Sequence, residues 1–279
     1  IYTLSLHDAL PIYELGGAPN GGGRLRLGGS VMAKTSLTPW FAHGAPRESA
    51  AVNIVCFPFA GGTASQFSEW KGLFPEAYGI YPVLYPLRER RMAEMMPESV
   101  EALAASLVEE NAQVFEKPAV LFGQCTGGLI AYEAARCLKA QGKTPRLFVA
   151  SGSTPPDNQA IGADVAAMSD ADLLTFLLES GRIDEAAVKM PAFMNYYFPI
   201  LKADMRLLGK YRYPADFKID CPLLCVQADE DSLAPAEDLA EWQAYILGPR
   251  ETLTVHGDHY FLAENARVIA QKMCAMLER

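Results

Sequence analysis

Ala119-Val-Leu-Phe-Gly-Gln-Cys-Thr-Gly-Gly128 is the stretch on which the fold of this chain turns. Its first four residues are apolar and read as a buried strand. From Gly127 to about residue 141 the pattern has a helical period, closed by Gly142 and Pro145. Between the two, Gly123-Gln124-Cys125-Thr126-Gly127 is a G-x-S-x-G turn with cysteine in the serine position. Such a turn holds its nucleophile at positive φ, and side chains two residues to either side would collide with it, so both flanking positions are glycine. The helix that follows aims its N-terminus at the sulfur and favours thiolate over thiol. A five-residue pattern alone is weak. Its placement between strand and helix is what marks Cys125 as a nucleophile.

Outward from this turn the chain alternates strand and helix. Residues 52–57, 80–85, 146–151, 222–228 and 251–255 are short apolar or β-branched runs that read as strands. Helices are expected from Pro97-Glu98-Ser99 through Val114, from Pro235 to about residue 246, and over 262–277. Strands joined through helices give the α/β class, a mostly parallel sheet with helices on both faces. Residues 155–215 break the rhythm with helical segments and no strand. An insertion there lies over the carboxyl edge of the sheet, where ligands bind in open α/β folds, and is expected to act as a lid. Residues 32–279 are read as a single domain, and the glycine-rich residues 1–31 as a flexible leader, an artefact or linker outside it.

A thiolate needs a base, and the chain has four histidines. His7 falls in the leader, and His43 lies in a loop beside Gly44 and Pro46 as a surface residue. His256 and His259 follow the last strand in Val255-His-Gly-Asp-His-Tyr-Phe-Leu262. That is the place for the base when the chain order is nucleophile, acid, histidine. His259, further out on the loop and just before the last helix, is preferred. The acid belongs after strand 222–228, where Asp229-Glu230-Asp231 offers Asp231 as first choice and Asp229 as second. A Cys–His pair depends on its acid less than Ser–His does, because a thiol gives up its proton more easily. The oxyanion hole is expected from the Thr126 backbone N–H and from the loop Pro58-Phe-Ala-Gly-Gly62, at Phe59 or Ala60.

Composition narrows the field. The 279 residues are half hydrophobic and carry a formal charge of −9. Such acidity excludes a non-specific nucleic-acid binder, which needs a basic face. No apolar run approaches the roughly 20 residues that span a bilayer, so a membrane protein is excluded too. Six cysteines form no C-x-x-C pair and have no histidine at zinc spacing. No metal site is expected, and reduced thiols point to the cytoplasm.

Several further stretches accompany this constellation: Phe57-Pro-Phe-Ala-Gly-Gly62, Arg88-Glu89, Pro199-Ile-Leu-Lys-Ala-Asp204 and Tyr211-Arg-Tyr213. Cys221-Pro222, Pro235-Ala-Glu-Asp-Leu-Ala-Glu-Trp242 and Gly257-Asp-His-Tyr-Phe-Leu262 complete the set. Together they resemble the type II thioesterases of non-ribosomal peptide and polyketide assembly lines, which have the α/β-hydrolase fold. The resemblance runs from about Pro39 to the C-terminus. It implies a substrate carried as an acyl or aminoacyl thioester on the phosphopantetheine arm of an acyl or peptidyl carrier protein, with no bound cofactor. It also implies a mobile lid at 155–215 and a monomer. Arg88, Arg90 and Arg91 are candidates to meet the arm's phosphate or an acidic carrier surface, with a solvated basic run as the competing reading.

Three departures matter. The family shows Gly-His-Ser-Met-Gly where this chain has Gly-Gln124-Cys125-Thr126-Gly; Leu87 replaces the glycine before Arg88, and Asp258 the glycine before His259. Serine attack on a thioester gives an oxygen ester, which is downhill. Attack by Cys125 exchanges one thioester for another of nearly equal energy, so the step is reversible and the group can pass to a second thiol. Family members with this substitution resemble aminoacyltransferases, which favours transfer. A hydrolytic editing thioesterase is the first alternative, and a non-catalytic scaffold that binds carrier proteins is the second. A small-ester or lactone hydrolase is the weakest.

Overall fold

The computed structural model describes residues 38–42, 49–158, 163–214 and 217–279. His7, His43 and the expected leader at 1–31 lie outside them. The sheet is built from β1 (Val52–Phe57), β2 (Tyr78–Pro82), β3 (Ala119–Gln124), β4 (Leu147–Ser151), β5 (Leu223–Ala228) and β6 (Arg250–Val255). Their order is β2-β1-β3-β4-β5-β6, and every neighbouring pair is parallel. This is the α/β-hydrolase class expected from the sequence. β2 begins two residues ahead of the apolar run at 80–85 and ends at Pro82.

Alternation along the strands explains why they are apolar throughout. Val55 and Phe57 of β1, Leu121 of β3, Phe148 of β4 and Cys225 of β5 enter one core. Ile54, Cys56, Val120, Phe122, Val149 and Val226 enter the other. Burial on both faces favours apolar residues at most positions, with Asn53, Gln124 and Ser151 as buried polar exceptions. β6, at the edge, keeps Arg250, Thr252 and Thr254 exposed.

The first core is covered by α1 (Val100–Glu110), through Leu103 and Leu107, and by α2 (Gly127–Ala140), through Leu129 and Leu138. Ser99 caps α1 by accepting the Ala102 amide at 3.1 Å. Between β4 and β5 lie α3 (Asp170–Glu179), the single turn Glu185–Val188 and α4 (Phe198–Gly209). Leu173, Leu177, Phe193, Leu201 and Met205 pack this insertion onto the same core. Phe193–Tyr197, running directly into α4, is a π-helical turn, and Pro199 has no amide to return to residue 195. The second core is covered by α5 (Leu262–Leu277), through Ile269 and Met273, together with Trp70. The helix expected over 235–246 is one turn, Ala236–Ala240, running into a 3-10 turn at Glu241–Ala244. Among the described residues no helix is long and apolar enough to cross a membrane.

One topological fact places the site. β1 pairs with β2 on one side and β3 on the other, so the connections leaving β1 and β3 diverge and open a crevice at their carboxyl ends.

Candidate active site

Cys125 stands in that crevice, at φ +50° between β3 and α2. Its amide donates to the Ser151 carbonyl at 2.8 Å, which ties the turn to the end of β4. The flanking glycines are required by close approach. A Cβ on Gly123 would lie 2.3 Å from the Gly128 Cα, and one on Gly127 would lie 2.2 Å from the Phe57 carbonyl oxygen. The start of α2 therefore rests directly on the end of β1.

His259 faces this turn from the loop after β6. Its Nδ1 lies 2.9 and 2.8 Å from the two carboxylate oxygens of Asp231. The Asp231 side chain is fully buried, and its Oδ1 also accepts the amides of Leu233 at 2.9 Å and Ala234 at 3.0 Å. The carboxylate is thus fixed by its own loop before the histidine meets it. Asp229, the second choice, lies outside the cluster: at the surface it pairs with His256 at 3.2 Å. Asp229, Glu230 and His256 are the grouping with metal-like spacing among the described residues, and all three are exposed.

The electrostatics single out one thiol. Burial opposes ionisation of Cys125, but the charge and hydrogen bond of His259, with help from the Thr126 amide and Arg182, outweigh it and lower its pKa. Burial likewise opposes the imidazolium of His259, yet the Cys125 charge and the Asp231 hydrogen bond push that pKa up to about 10. Each charge thus favours the other: the imidazolium lowers the thiol's pKa and the thiolate raises the imidazole's. Burial drives Cys221 and Cys225 the other way, each up to about 12, and raises Cys56, Cys137 and Cys274 as well.

The amides expected to form the oxyanion hole are unevenly placed. Ala60 N–H donates to the Thr126 hydroxyl at 2.7 Å, Gly61 N–H to Asp204 Oδ2 at 2.7 Å, and Gly62 N–H to the Phe59 carbonyl at 2.8 Å. Phe59 N–H makes no hydrogen bond among the described residues. Of the two candidates on this loop, then, Ala60 is engaged and Phe59 is open.

The arginines are where the sequence reading fails. Arg88 is fully buried, salt-bridged to Asp204 at 2.6 Å and bonded to the Gly62 carbonyl at 2.6 Å. Arg91 is buried over the Trp40 ring, 3.9 Å from its centroid. Neither can meet a phosphate or a carrier surface, because each has its charge and donors satisfied inside the protein. Arg90 is exposed, but its guanidinium donates to the carbonyls of Pro39, Phe41 and Ala42 and so fastens the chain entering the domain. No sequence pattern signals these turns inward.

Other residues of the site carried no sequence signal. A cavity of about 1020 Å³ opens beside Cys125 and His259, lined in part by Leu177, Arg182, Tyr197 and Leu201 of the insertion. Arg182 is the one Lys or Arg lining it among the described residues. Tyr260 packs edge-on to the rings of Phe59 and His259, at 6.2 and 5.7 Å, and its hydroxyl donates to the Arg182 carbonyl at 3.1 Å. The loop carrying His259 is thereby fastened to the insertion.

Comparison with known proteins gives the family. The thioesterase domain family matches residues 52–277, and the chain belongs to it. It is similar to the gramicidin S biosynthesis protein GrsT of Aneurinibacillus migulanus, 26% identical over 87% of this chain and 95% of that protein. Among solved structures it is similar to the type II thioesterase BorB from the borrelidin biosynthetic cluster. That likeness has a TM-score of 0.74 and 25% identity, covering 88% of this chain and 98% of BorB. It is also similar to the thioesterase RedJ from the prodiginine pathway of Streptomyces coelicolor. There the TM-score is 0.72 and the identity 28%, covering 88% of this chain and 98% of RedJ.

Proposed function

We propose that this thioesterase-family chain acts on acyl or aminoacyl thioesters held on the phosphopantetheine of a carrier protein, through an acyl group bound to Cys125. The observation that carries the reading is the line Cys125, His259, Asp231, with Asp231 2.8 Å from the imidazole and the thiol turned acidic against the pull of burial. The names of its relatives, from peptide and polyketide pathways, support the carrier-bound substrate.

The Cys125 thiolate attacks the thioester carbonyl, forming the Sγ–C bond. The charge that develops on oxygen is met by the N–H groups of Thr126 and Phe59. Collapse expels the pantetheine thiolate, which takes its proton from the His259 imidazolium. In the second half the now neutral His259 accepts the proton of an incoming thiol, and that thiolate takes the acyl group from Cys125. Both halves exchange one thioester for another, so neither is strongly downhill, and delivery to a second carrier protein is the outcome this chemistry favours. Water in place of the second thiol gives hydrolysis, the reading the type II thioesterase relatives favour.

The test is intact mass spectrometry after mixing the protein with a carrier domain bearing a mass-tagged aminoacyl or acyl group, then adding an empty second carrier. An adduct on Cys125 that vanishes in Cys125→Ala and then loads the second carrier is the expected result. An adduct decaying to free acid while the second carrier stays empty would establish hydrolysis instead. Absence of any adduct across a broad acyl panel would leave a scaffold that only binds carriers.

A further inference from the structure

The buried charge pair Arg88–Asp204 has no part in the chemistry just described, yet it is built into the loop beside it. Asp204 lies on α4 of the insertion, and the Arg88 side chain comes from the segment after β2. The carboxylate divides its two oxygens. Oδ1 takes Arg88 Nη2 at 2.6 Å and Oδ2 takes the Gly61 amide at 2.7 Å. Arg88 in turn gives Nη1 to the Gly62 carbonyl at 2.6 Å and Nε to the Pro86 carbonyl at 3.2 Å. Two consecutive residues of the loop are therefore gripped, Gly61 at its N–H and Gly62 at its C=O.

The grip is held under strain. Leu87 stands at φ +67° and Glu89 at φ +48°, so both neighbours of Arg88 occupy a region unfavourable to residues with a Cβ. Gly61, at φ +79°, lies so close to the insertion that an added Cβ would sit 2.7 Å from the Tyr197 hydroxyl. With Gly61 held by Asp204, Gly62 by Arg88 and Ala60 by Thr126, the Phe59 amide is the loop N–H left without an acceptor among the described residues.

We infer that Arg88 and Asp204 are positioning residues for the oxyanion hole, holding the Phe59 amide toward the carbonyl attacked by Cys125. The hole is thus complete only while the insertion is seated on the loop. This inference rests on the proposed Cys125 chemistry, and its test keeps the two apart. Iodoacetamide alkylates a thiolate without forming an oxyanion, whereas p-nitrophenyl acetate acylates it through one. The ratio of the two rates on the full chain reads the oxyanion hole alone.

The double variant Arg88→Met with Asp204→Leu removes both charges at similar volume, a replacement that buried ion pairs often tolerate. Asp204→Asn, which keeps the shape and a carbonyl acceptor, serves as the milder second variant. The expected result is alkylation of Cys125 within twofold of wild type in both. Acylation falls about 10- to 100-fold in the double variant, less in Asp204→Asn, mainly in the maximal rate and with half-saturation little changed. Loss of both rates together, or retention of both, would overturn the inference. Acylation surviving in Cys125→Ala would overturn the underlying reading instead.

Discussion

The Thr126 hydroxyl accepts the Ala60 amide at 2.7 Å, so the residue after the nucleophile is laced by its side chain to the loop after β1. The loops that carry the two proposed oxyanion donors, Thr126 and Phe59, are thereby joined to each other. Thr126→Val keeps the shape and cuts this link. One hydrogen bond of about 1 kcal/mol corresponds to roughly a fivefold change. The acylation rate of Cys125 is expected to fall by about that factor in Thr126→Val and to be retained in Thr126→Ser, as measured by the burst with p-nitrophenyl acetate.

The two carboxylates after β5 separate cleanly. Asp231 is buried against His259, and Asp229 is an exposed partner of His256. Asp231→Asn is expected to slow acylation more than about tenfold, because the imidazolium loses its countercharge and the amide can hold the imidazole in the wrong tautomer. Asp229→Asn should leave the rate within twofold. Equal losses would mean that the alignment on His259 is not the operative one.

The pH dependence has a definite sign. Because the Cys125 pKa lies below the ordinary thiol value, its thiolate persists at pH values where an ordinary thiol is protonated. Alkylation should remain fast there and decline only as the pH drops through that lowered value. His259→Gln removes the charge and hydrogen bond that oppose burial. Desolvation then acts unchecked, and the midpoint of the alkylation profile is expected to move up past that of a free thiol.

Replacing sulfur by oxygen should alter the fate of the acyl group. Cys125→Ser is expected to acylate slowly and, once acylated, to hold an oxygen ester that a second thiol takes only with difficulty while water still removes it. The ratio of loaded second carrier to free acid, read by mass spectrometry, should drop relative to wild type. An unchanged ratio would show that partition is set elsewhere in the cavity.

Gly127→Ala tests the contact on which the turn rests. The added Cβ would fall 2.2 Å from the Phe57 carbonyl oxygen, a backbone atom at the end of β1. Overpacking of this kind costs about 1–3 kcal/mol. Urea unfolding should show a loss of at least that size, with the midpoint shifted and the slope retained.

What the sequence disclosed and what it hid divide along a physical line. Features written in local order were legible: the helix over Leu262–Leu277, the strand before Cys125, the glycines around it and the place of His259 after β6. Asp231 was separable from Asp229 by its distance past the strand. The inward course of Arg88 was not, because its partners lie 26 and 116 residues away in the chain, at Gly62 and Asp204. A run of arginines looks the same whether it faces water or a buried carboxylate. Arg182 escaped for a similar reason, since only the packing of the insertion brings it to the cavity.

The contrast among the six cysteines reaches beyond catalysis. The surroundings of five raise the thiol pKa and favour the protonated form, and those of Cys125 lower it and favour the thiolate. A thiolate is the form that peroxide converts to a sulfenate. The proposed site of acyl attachment is therefore also where oxidative damage to the chain is expected to begin, a vulnerability that a serine at position 125 would not share.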